Sequence, residues 1–415
     1  MPRYSITKLL NIPTHKVIKL RVDEEKAEIH IWLEARKNRP FVCSGCGQIH
    51  KTGNHGKSTL VAEDLPISGH RVFLHVTRRR YVCPHDQKTH VEEIPWLLIW
   101  HRFTTRFSEQ LYRLTSITTN KEAGWYMGLD DETVYRIDKE ILERKYEQKL
   151  EPFPAAVNMS VDEVSYKKYH RYLTNVVDVD KKVVIWNAQG RKAEVLDQYY
   201  EGIGEEQCKR IESVALDGAR TYIASSGRHA VNALIVCDKF HVASKMNRAV
   251  DSVRKMELHK ARKEGNLDLV EMINGRQRFI LFRNRQNRTS RQTEHLDHLC
   301  RKNEQIYKAM LLKESFLGVY NCSGAQAAEE YLKDWVEQAK TSGLKAFEEL
   351  SQSINDKLQL IVNWFKKKVS SAISEGINNK IKRLKRMAYG YKDIDYFRLK
   401  IHQHCGLLNP RRFPH

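Results

Sequence analysis

Two acidic residues stand where an α/β sheet would place catalytic groups. Asp162 lies within the apolar run Ser160-Val-Asp-Glu-Val164, and Asp217 ends the apolar run Ser213-Val-Ala-Leu-Asp217. Neighbouring side chains of a strand point to opposite faces, so only one of Asp162 and Glu163 can face a given site, and we choose Asp162. Carboxylates at the ends of neighbouring parallel strands lie close together, and they repel each other unless they share a cation such as Mg²⁺. The sequence therefore predicts a two-metal site.

A third acid would complete such a site, and the sequence offers two candidates. Asp238 stands at the end of the last strand predicted in this region. Glu375 lies on a predicted helix that carries Asn378 and Asn379 three and four residues later and Lys382 seven residues later. Residues at these spacings share one helix face, so an acid, two amides and a base would be presented together. A solvent-exposed polar face is the alternative interpretation of the same pattern.

The order of the predicted elements would bring these acids to one edge of a sheet. Runs rich in valine, tyrosine and isoleucine predict three consecutive strands, and a helix, a strand, a helix and a strand follow. The strand-helix-strand pattern implies parallel pairing. The expected βββαβαβ segments are strands at 156–164, 169–179 and 182–188, a helix near 192–201, a strand at 213–217, a helix from about 219 and a strand at 233–238.

Segments with other hydrophobic patterns precede and follow this predicted sheet. Residues 1 to about 95 alternate short apolar runs with turns, as in strands predicted at 16–22, 28–33 and 71–76, and indicate a small β-rich unit. From about 102 to 150 the apolar residues recur at helical spacing, with a break at Gly128. Pro152 and Pro154 then mark a boundary before the predicted sheet. Residues 241 to 370 predict long basic amphipathic helices, and Ser370 to Arg386 predicts one more.

Several of these segments together resemble a known family. The segments are Val161-Asp-Glu-Val164, His170 to Asp178, Leu216-Asp217, Cys237-Asp-Lys-Phe-His241 and Glu375 to Gly390, and they resemble the bacterial insertion-sequence transposases of the ISL-three family. The resemblance extends from the cysteine pair near residue 43 to about residue 400. It implies a DDE-type transposase whose triad is Asp162, Asp217 and Glu375. Asp238 and His241 match the family's Asp-Lys-Phe-His motif, and we expect them, with Asn378 and Asn379, to support the metal site or position DNA.

The resemblance also implies a fold class and a domain order. The fold class is multi-domain α/β plus α, with a ribonuclease H-like mixed sheet interrupted by an all-helical insertion before the last catalytic helix. The expected domains are a zinc-binding β-rich unit at 1–100, a helix-turn-helix segment at 101–150, a catalytic domain at 151–245 and 368–415, and the insertion at 246–367. Aromatic residues Trp335, Phe347, Trp364 and Phe365 are expected in the core of that insertion.

The expected chemistry is phosphoryl transfer. Two Mg²⁺ or Mn²⁺ ions per active site would lower the pKa of a bound water, or hold a DNA 3′-hydroxyl, for in-line attack on a phosphodiester. The partners implied are the element's terminal repeats and target DNA, bound by a homodimer or larger assembly. A zinc-containing transcriptional regulator without nuclease activity is the competing hypothesis, and an inactive copy of the element is a third. A regulator gives no reason for Glu375 to lie in a basic helix beside two asparagines.

A cysteine cluster near the N-terminus predicts one structural zinc. Cys43-Ser-Gly-Cys46 forms a CxxC turn, and Cys83-Pro-His85 follows another predicted strand about 36 residues later. Two such turns on neighbouring hairpins can close a tetrahedral site. The resembling family usually has a second CxxC, but position 86 is Asp in this chain. The fourth ligand stays open among His85, Asp86 and His90, with His90 favoured and His85 next, and a redox or vestigial site without metal is the alternative.

The predicted helix-turn-helix and several basic clusters suit DNA. The second helix would enter the major groove with Thr133, Tyr135 or Arg136 near base edges. The acids at 130–132 would repel phosphate unless they cap that helix. Basic clusters expected on the DNA backbone are Arg78-Arg79-Arg80, the run from Arg276 to Arg291, and the run from Lys380 to Arg386, which includes Lys382 and Arg383. Plain helix packing and solvated charged faces are the alternatives.

Composition agrees with a polyanionic partner. Lysine and arginine number 71 against 51 acids, which gives a formal charge of +20. Hydrophobic residues make up 41% of the chain, too many for a disordered protein. The longest uncharged apolar run, from Ile94 to Trp100, is far short of the roughly 20 residues that span a bilayer, and no signal peptide is recognised. We therefore expect a cytoplasmic, nucleoid-associated protein whose eight cysteines are thiols or metal ligands.

Overall fold

The computed structural model divides the chain into two compact units, with the boundary between Lys145 and Tyr146. The residues described are 3–12, 14–36, 41–50, 54–98, 102–167, 171–275, 278–369 and 372–411. Three predicted segments extend beyond these ranges, because His170, Arg276 and Ser370 lie outside the described residues. Within the helices that the structure does describe, no stretch combines the length and apolarity that a membrane span requires.

The first unit is a β-rich layer followed by helices. Its elements are α1 (Arg3–Leu10), β1 (His15–Asp23), β2 (Glu28–Ala35), β3 (Asn54–Ile67), β4 (His70–Val82), β5 (Thr89–Val91), α2 (Thr105–Thr115), α3 (Asn120–Met127) and α4 (Asp131–Leu150). The last five residues of α4 lie beyond the boundary and belong to the second unit. The strand order is β1-β2-β4-β3, and β5 pairs with β4. One face of this sheet buries alternating apolar residues, among them Ile31, Leu33, Leu74 and Val76. The period of two that predicted strands in this region therefore corresponds to a half-buried sheet.

Strand β3 is the longer of two strands in this sheet, with β5, that the sequence did not reveal. It carries Glu63, Asp64 and Pro66, which are residue types depleted in strands. The strand is at the edge of the sheet, where proline is tolerated because its missing N–H would face outward. Both acids are buried and paired: Arg71 donates to Glu63 at 2.8 and 2.9 Å, and Arg106 donates to Asp64. Tertiary ion pairs thus stabilise a strand that local propensity disfavours.

The helices α2 to α4 begin and end where local capping chemistry dictates. Thr119 and Glu122 form a capping box at the start of α3, and Gly128 ends that helix in the left-handed region with φ of 70°. Asp130 accepts a hydrogen bond from the Thr133 N–H at 2.8 Å and so caps α4. The predicted break at Gly128 is therefore present, and at least one of the acids beside it is a helix cap.

The second unit is a mixed sheet with helices on both faces. Its elements up to the helical segment are β6 (Asn158–Lys167), β7 (Arg171–Asp178), β8 (Val183–Gln189), α5 (Ala193–Ile203), α6 (Glu205–Cys208), β9 (Ser213–Leu216), α7 (Arg220–His229) and β10 (Leu234–Cys237). The strand order is β10-β9-β6-β7-β8. Strands β6, β9 and β10 are parallel, whereas β7 is antiparallel to both β6 and β8. The elements follow the expected order of strands and helices, with the short α6 added.

Different helices cover the two faces of this sheet. Val161 and Leu216 share a core with residues of α5 and α7. Val164 shares the opposite core with residues of α16 (Ala372–Met387) and α17 (Ile394–Cys405). The sequence did not reveal α17, because it buries polar residues such as His402, which is 0% exposed. Burial lowers the pKa of His402 to about 3, so the imidazole is neutral inside the fold.

A purely helical segment runs between β10 and α16. Its helices are α8 (Lys239–Lys263), α9 (Leu267–Ile273), α10 (Arg278–Phe282), α11 (Ser290–Lys302), α12 (Glu304–Gly318), α13 (Ala325–Lys340), α14 (Lys345–Asn355) and α15 (Leu358–Lys366). The segment has its own apolar core, which contains Trp335 and Phe347. Helix α15 packs on the edge strand, where the Asn363 Nδ2 donates to the Ile235 carbonyl at 2.9 Å. This helical segment therefore covers the β10 edge of the sheet.

Replacing Trp335 by alanine should destabilise the helical segment by about 3–5 kcal/mol. The indole is 1% exposed, contacts Phe316 edge to face at 4.9 Å between centroids, and donates from Nε1 to the Leu312 carbonyl at 2.8 Å. Its removal leaves a cavity and takes one hydrogen bond from the Leu312 carbonyl, which keeps the one donated by the Ser315 hydroxyl. Denaturant unfolding of the full chain measures the loss, and a comparable loss for an exposed residue such as Phe279 would contradict this assignment.

Candidate functional site

A row of polar side chains crosses the second sheet at one level of its register. Asn187 pairs with Asn175, and Asn175 pairs with Asp162 on β6. Asp217 and Asp238 continue this row, because each follows the last paired residue of its parallel strand. Residues at one register level of a sheet share a face. The row of two amides and three acids is thus presented on the face covered by α16 and α17.

Asp162 is held by one backbone and one side-chain hydrogen bond. The Asn378 Nδ2 of α16 donates to Asp162 Oδ2 at 2.6 Å, and the Glu163 N–H donates to Asp162 Oδ1 at 2.8 Å. Burial raises the pKa of Asp162, and the nearby charges of Asp217 and Asp238 raise it further, against the lowering effect of the Glu163 N–H and His241. Such crowding of carboxylates disfavours the charged form and is relieved when a cation is bound.

Asp217 lies at the tight connection between β9 and α7. Its Oδ1 accepts a hydrogen bond from the Ala219 N–H at 2.7 Å, and Gly218 between them has φ of +83°. This geometry turns the chain sharply at the carboxyl end of the strand, where α/β sheets present ligand-binding groups. Asp238 occupies the corresponding end of β10, and the His241 Nε2 lies 3.7 Å from its Oδ2. Asp238 and His241 of the expected Asp-Lys-Phe-His motif therefore lie near the two expected metal ligands.

Glu375 lies in the first turn of α16, one turn before Asn378. Its side chain is exposed, as are those of Asn379 and Lys382, whereas Asn378 is buried against Asp162. The three expected triad carboxylates do not approach to within 4.8 Å of one another as a set, a statement that holds for the residues described. Helix α16 thus places Glu375 on the side of the sheet that bears the polar row.

Asn175 is a member of the row that the sequence did not single out. Its side chain is 1% exposed and neither amide atom has a hydrogen-bond partner among the described residues. It lies directly across the antiparallel pair from Asp162. An unpaired buried amide costs roughly 1–3 kcal/mol, and a group bound beside Asp162 could supply the missing hydrogen bonds. The signal in the sequence was an asparagine, next to Thr174, in a strand that is otherwise apolar from Leu173 to Val177.

Glu163 faces away from this row, as strand alternation predicted. Its Oε1 lies 3.8 Å from Arg191 Nη1, and Arg191 packs over the Tyr172 ring at 4.5 Å. Burial raises the pKa of Glu163, and Asp217 raises it further while Arg191 lowers it. Of these two neighbouring acids, Asp162 is the one that contacts α16, through its hydrogen bond with Asn378.

We expect the substitution of asparagine for Asp162 to stabilise the metal-free protein at neutral pH by roughly 1 kcal/mol. A carboxyl whose pKa is raised by folding contributes stability below its ordinary pKa and loses it as the pH rises through the raised value. An amide removes that pH-dependent loss, and Asn378 can turn its own amide to preserve the hydrogen bond. Thermal unfolding in chelator at neutral and acidic pH measures the difference. Mn²⁺ should then raise the midpoint of the wild type and not that of the variant, and the opposite pattern would argue against a cation at Asp162.

The cysteines of the first unit form a compact group with a histidine. Ligand atoms of Cys43, Cys46, His50 and Cys83 all lie within 4.8 Å of one another. The His50 Nε2 is 3.2 Å from Cys46 Sγ and 3.7 Å from Cys83 Sγ. In a tetrahedral zinc site, ligand atoms about 2.0–2.3 Å from the metal lie roughly 3.5 Å apart. Three thiols and one imidazole therefore fit a structural zinc.

Two equivalent turns present these thiols. The Cys43 carbonyl accepts from the Gly47 N–H and the Cys83 carbonyl accepts from the Gln87 N–H, both at 2.9 Å. Gly47 and Gln87 both have positive φ, at 71° and 57°. By this equivalence Asp86 stands where the second turn would carry its second cysteine. The position three residues after the first cysteine of the turn is thus a thiol in one turn, Cys46, and a carboxylate in the other, Asp86.

The expectation of His90 or His85 as the fourth ligand needs correction in favour of His50. The Asp86 Oδ2 accepts a hydrogen bond from His90 Nε2 at 2.7 Å, and His85 Nε2 lies 3.0 Å from Gln48 Oε1. Both imidazoles are thus engaged outside the thiol group. His50 was overlooked because it follows the first turn instead of the second, and its approach to Cys83 depends on the fold of the two turns on each other.

The residues expected at DNA differ in how free they are to bind it. Thr133, Tyr135 and Arg136 lie in the first two turns of α4, and Arg136 is exposed. Arg80 is exposed, but Arg79 pairs with the fully buried Glu92 at 3.0 Å, and Arg78 is half-buried. Lys380, Lys382 and Arg383 are exposed along α16. Part of the arginine cluster therefore belongs to the fold of the first unit, while the other basic side chains face solvent.

Comparisons with known proteins cover both units. A family model described as transposase, of the ISL3 type, matches residues 159–401, and a model described as the zinc-finger of transposase IS204/IS1001/IS1096/IS1165 matches residues 39–86. The second match contains His50 and ends before His90. The chain is 31% identical over 367 residues to the transposase for insertion sequence element IS1001 of Bordetella parapertussis, covering 87% of this chain and 88% of that protein.

A more distant relative extends the comparison. The chain is 25% identical over 369 residues to the transposase for insertion sequence element IS1557 of Mycobacterium tuberculosis, covering 84% of this chain and 82% of that protein. The matched family region includes the strand with Asp162, the turn with Asp217 and the helix with Glu375. With the acids of the second unit and the cysteines of the first both inside matched regions, the chain belongs to the ISL3 family of insertion-sequence transposases.

Proposed function

We propose that this chain is a DDE transposase that binds the terminal inverted repeats of its insertion sequence and catalyses metal-dependent DNA strand cleavage and strand transfer. The observation that carries the proposal is the register of β6 and β9. Asp162 and Asp217 follow the paired residues Val161 and Leu216 at the carboxyl end of two parallel neighbours. Helix α16 contacts this pair through Asn378, and Glu375 lies one turn earlier on the same helix.

The strand order supports a ribonuclease H-like catalytic domain. Three antiparallel strands followed by two parallel ones give the order β10-β9-β6-β7-β8. The helical segment between β10 and α16 is then the all-helical insertion, placed before the helix that bears the third acid. In this interpretation the triad is Asp162, Asp217 and Glu375, and the inserted helices delay Glu375 in sequence without removing it from the face of the sheet.

The side chains have distinct tasks in this proposal. Asp162 and Asp217 would hold two Mg²⁺ or Mn²⁺ ions, since their oxygen ligands suit hard cations and their crowding favours a bound cation. The ions, when bound, supply activation of the attacking hydroxyl and stabilisation of the leaving oxygen. Glu375 would supply the third carboxylate from the first turn of α16. Asn378 orients Asp162, while Asn175 can hydrogen-bond groups that bind beside it.

The first unit would supply recognition of the terminal repeats. The thiols of Cys43, Cys46 and Cys83 with the imidazole of His50 would bind one structural zinc. Helices α3 and α4 would act as a helix-turn-helix, with Thr133, Tyr135 and Arg136 directed to the major groove. Asp130 at the cap of α4 removes part of the expected repulsion of phosphate, because its carboxylate is engaged with Thr133. We infer that a homodimer or larger assembly holds two ends together.

The competing regulator hypothesis accounts for less of the molecule. A zinc-containing DNA-binding regulator requires only the first unit, and leaves the acid row and the contact between Asn378 and Asp162 without a purpose. The family match extends through residues 159–401, which is the part that such a regulator would not need.

Cleavage of a terminal-repeat duplex tests the proposal. The full chain is incubated with both ends of its element in Mg²⁺, in Mn²⁺ and in chelator, and the products are resolved by strand. We expect nicks that leave 3′-hydroxyl ends at the element boundary in either metal and none in chelator. Binding of both ends without cleavage in any divalent metal would favour the regulator or an inactive copy.

A further inference from the structure

Two lysines from the helical elements converge on the turn that carries Asp217. The turn before α15 packs on this connection, where Arg220 Nη2 lies 3.4 Å from Asp356 Oδ2. The next residue, Lys357, extends its side chain over Gly218. A Cβ atom built on Gly218 would lie 3.3 Å from Lys357 Nζ and 3.4 Å from its Cδ. The inserted helices thus deliver an ammonium group to the residue that follows Asp217.

The second lysine comes from α8. Lys245 follows His241 by four residues, so the two side chains share a helix face. Burial lowers the pKa of Lys245, and the adjacent Lys357 lowers it further, while Cys237 and Asp217 raise it. Both lysines also act electrostatically on the Cys237 thiol, whose pKa burial raises to about 11. Lys245 and Asp217 are therefore electrostatic neighbours of Lys357, whose Nζ lies over Gly218.

The ammonium groups of Lys245 and Lys357 are available to bind an anion. Within the described residues, neither lysine makes an ion pair with a carboxylate within 4.0 Å. Two half-buried like charges in contact repel, as two carboxylates do, unless an ion of opposite sign lies between them. The cations expected at Asp162 and Asp217 would add to that positive charge. A phosphodiester of the DNA strand is the anion that this active site must receive.

We propose that Lys245 and Lys357 form a clamp that binds a DNA phosphate next to the phosphodiester being cleaved. The inference rests on the proposed cleavage at Asp162 and Asp217, and it extends that proposal by naming the residues that hold the strand. The proposal also assigns a function to the inserted helices. Helix α15 covers the edge of the sheet, and Lys357, the residue before it, enters the site. In this scheme Lys245 and Lys357 contact the substrate strand directly, at a phosphate beside the reacting group.

A structural explanation makes a different prediction. If the lysines only balanced the charge of Asp217, their removal would leave DNA affinity and its salt dependence unchanged. A phosphate contact instead releases a counterion from DNA, and each lost contact lowers the slope of log affinity against log salt by about 0.9. The slope therefore separates the two roles, and a general loss of stability would not imitate it.

The experiment uses the full chain and a terminal-repeat duplex ending in the 3′-hydroxyl that cleavage would leave. Affinity is measured in Ca²⁺, which fills carboxylate sites, over a series of salt concentrations for wild type, Lys357→Gln, Lys357→Arg and Lys366→Gln. Lys366 is the matched control, because it ends the same helix and is exposed. Thermal unfolding of every variant verifies that α15 stays folded. Cleavage of the uncut repeat in Mg²⁺ is followed in parallel.

We expect Lys357→Gln to lower the slope by about one and the cleavage rate by about tenfold or more. Lys357→Arg should restore most of the slope, and Lys366→Gln should match the wild type. A wild-type slope for Lys357→Gln would overturn the clamp, whatever its effect on cleavage. If the wild type does not cleave in any divalent metal while the slope still falls, the cleavage proposal fails and the phosphate site remains.

Discussion

Replacing Asp217 by asparagine is expected to reduce metal-dependent cleavage of the terminal repeat by about a thousandfold or more. The change removes a charge from the centre of the acid row, where Asp162 and Asp238 are its neighbours. An amide retains the acceptor for the Ala219 N–H, which the carboxylate meets at 2.7 Å, so the turn should keep its shape. The loss should therefore be one of cation binding and not of folding. Single-turnover strand cleavage in Mg²⁺ and Mn²⁺ is the measurement.

Two further variants make that result specific. Asp334 is exposed on α13, far along the chain from the sheet, and Asp334→Asn should cleave as the wild type does. Glu375→Gln should also abolish cleavage if its exposed carboxylate completes the site with Asp162 and Asp217. Retention of terminal-repeat binding by Asp217→Asn separates chemistry from recognition. Cleavage by Asp217→Asn within tenfold of the wild type would remove this acid from the active site.

The sheet of the second unit could be predicted because its pattern is local. Apolar runs of strand length, alternation around Asp162 and an acid at the end of a second apolar run are all readable without tertiary information. The parallel pairing that joins Asp162 to Asp217 follows from the intervening helix. The exclusion of Glu163 from the row required only the period of a strand, and the structure directs this side chain to Arg191 on the other face.

The rest of the site depends on contacts between distant parts of the chain. Lys357 reaches Gly218 only because α15 packs on β10, and the spacing of more than a hundred residues gives no sign of it. Asn175 is an unremarked polar residue in a strand until register places it across from Asp162. His50 becomes a partner of the thiols only when the two cysteine turns fold together. Long-range packing is the information that a single sequence does not express.

The three thiols and His50 lead to the second large prediction, which concerns zinc and the first unit. We expect Cys83→Ser to lose the single bound zinc and with it terminal-repeat binding. Structural zinc contributes on the order of 10 kcal/mol to the folding of small domains, more than the stability of a typical small unit. The core around the site is small, since Phe41, Cys43, Tyr81 and Cys83 are its buried members. Metal content per chain and affinity for the terminal repeat are the two measurements.

The histidines decide which ligand set is present. His50→Gln should lower the zinc content and weaken retention of the metal against a chelator, because its Nε2 is the imidazole atom beside Cys46 and Cys83. His90→Gln is the matched control, since His90 hydrogen-bonds Asp86 and should leave the zinc content unchanged. The reverse outcome would restore His90 as the ligand and would require the second turn to reorganise when metal binds. Cleavage of a pre-bound end should be little affected by either change, because the acids that we assign to cleavage lie in the other unit.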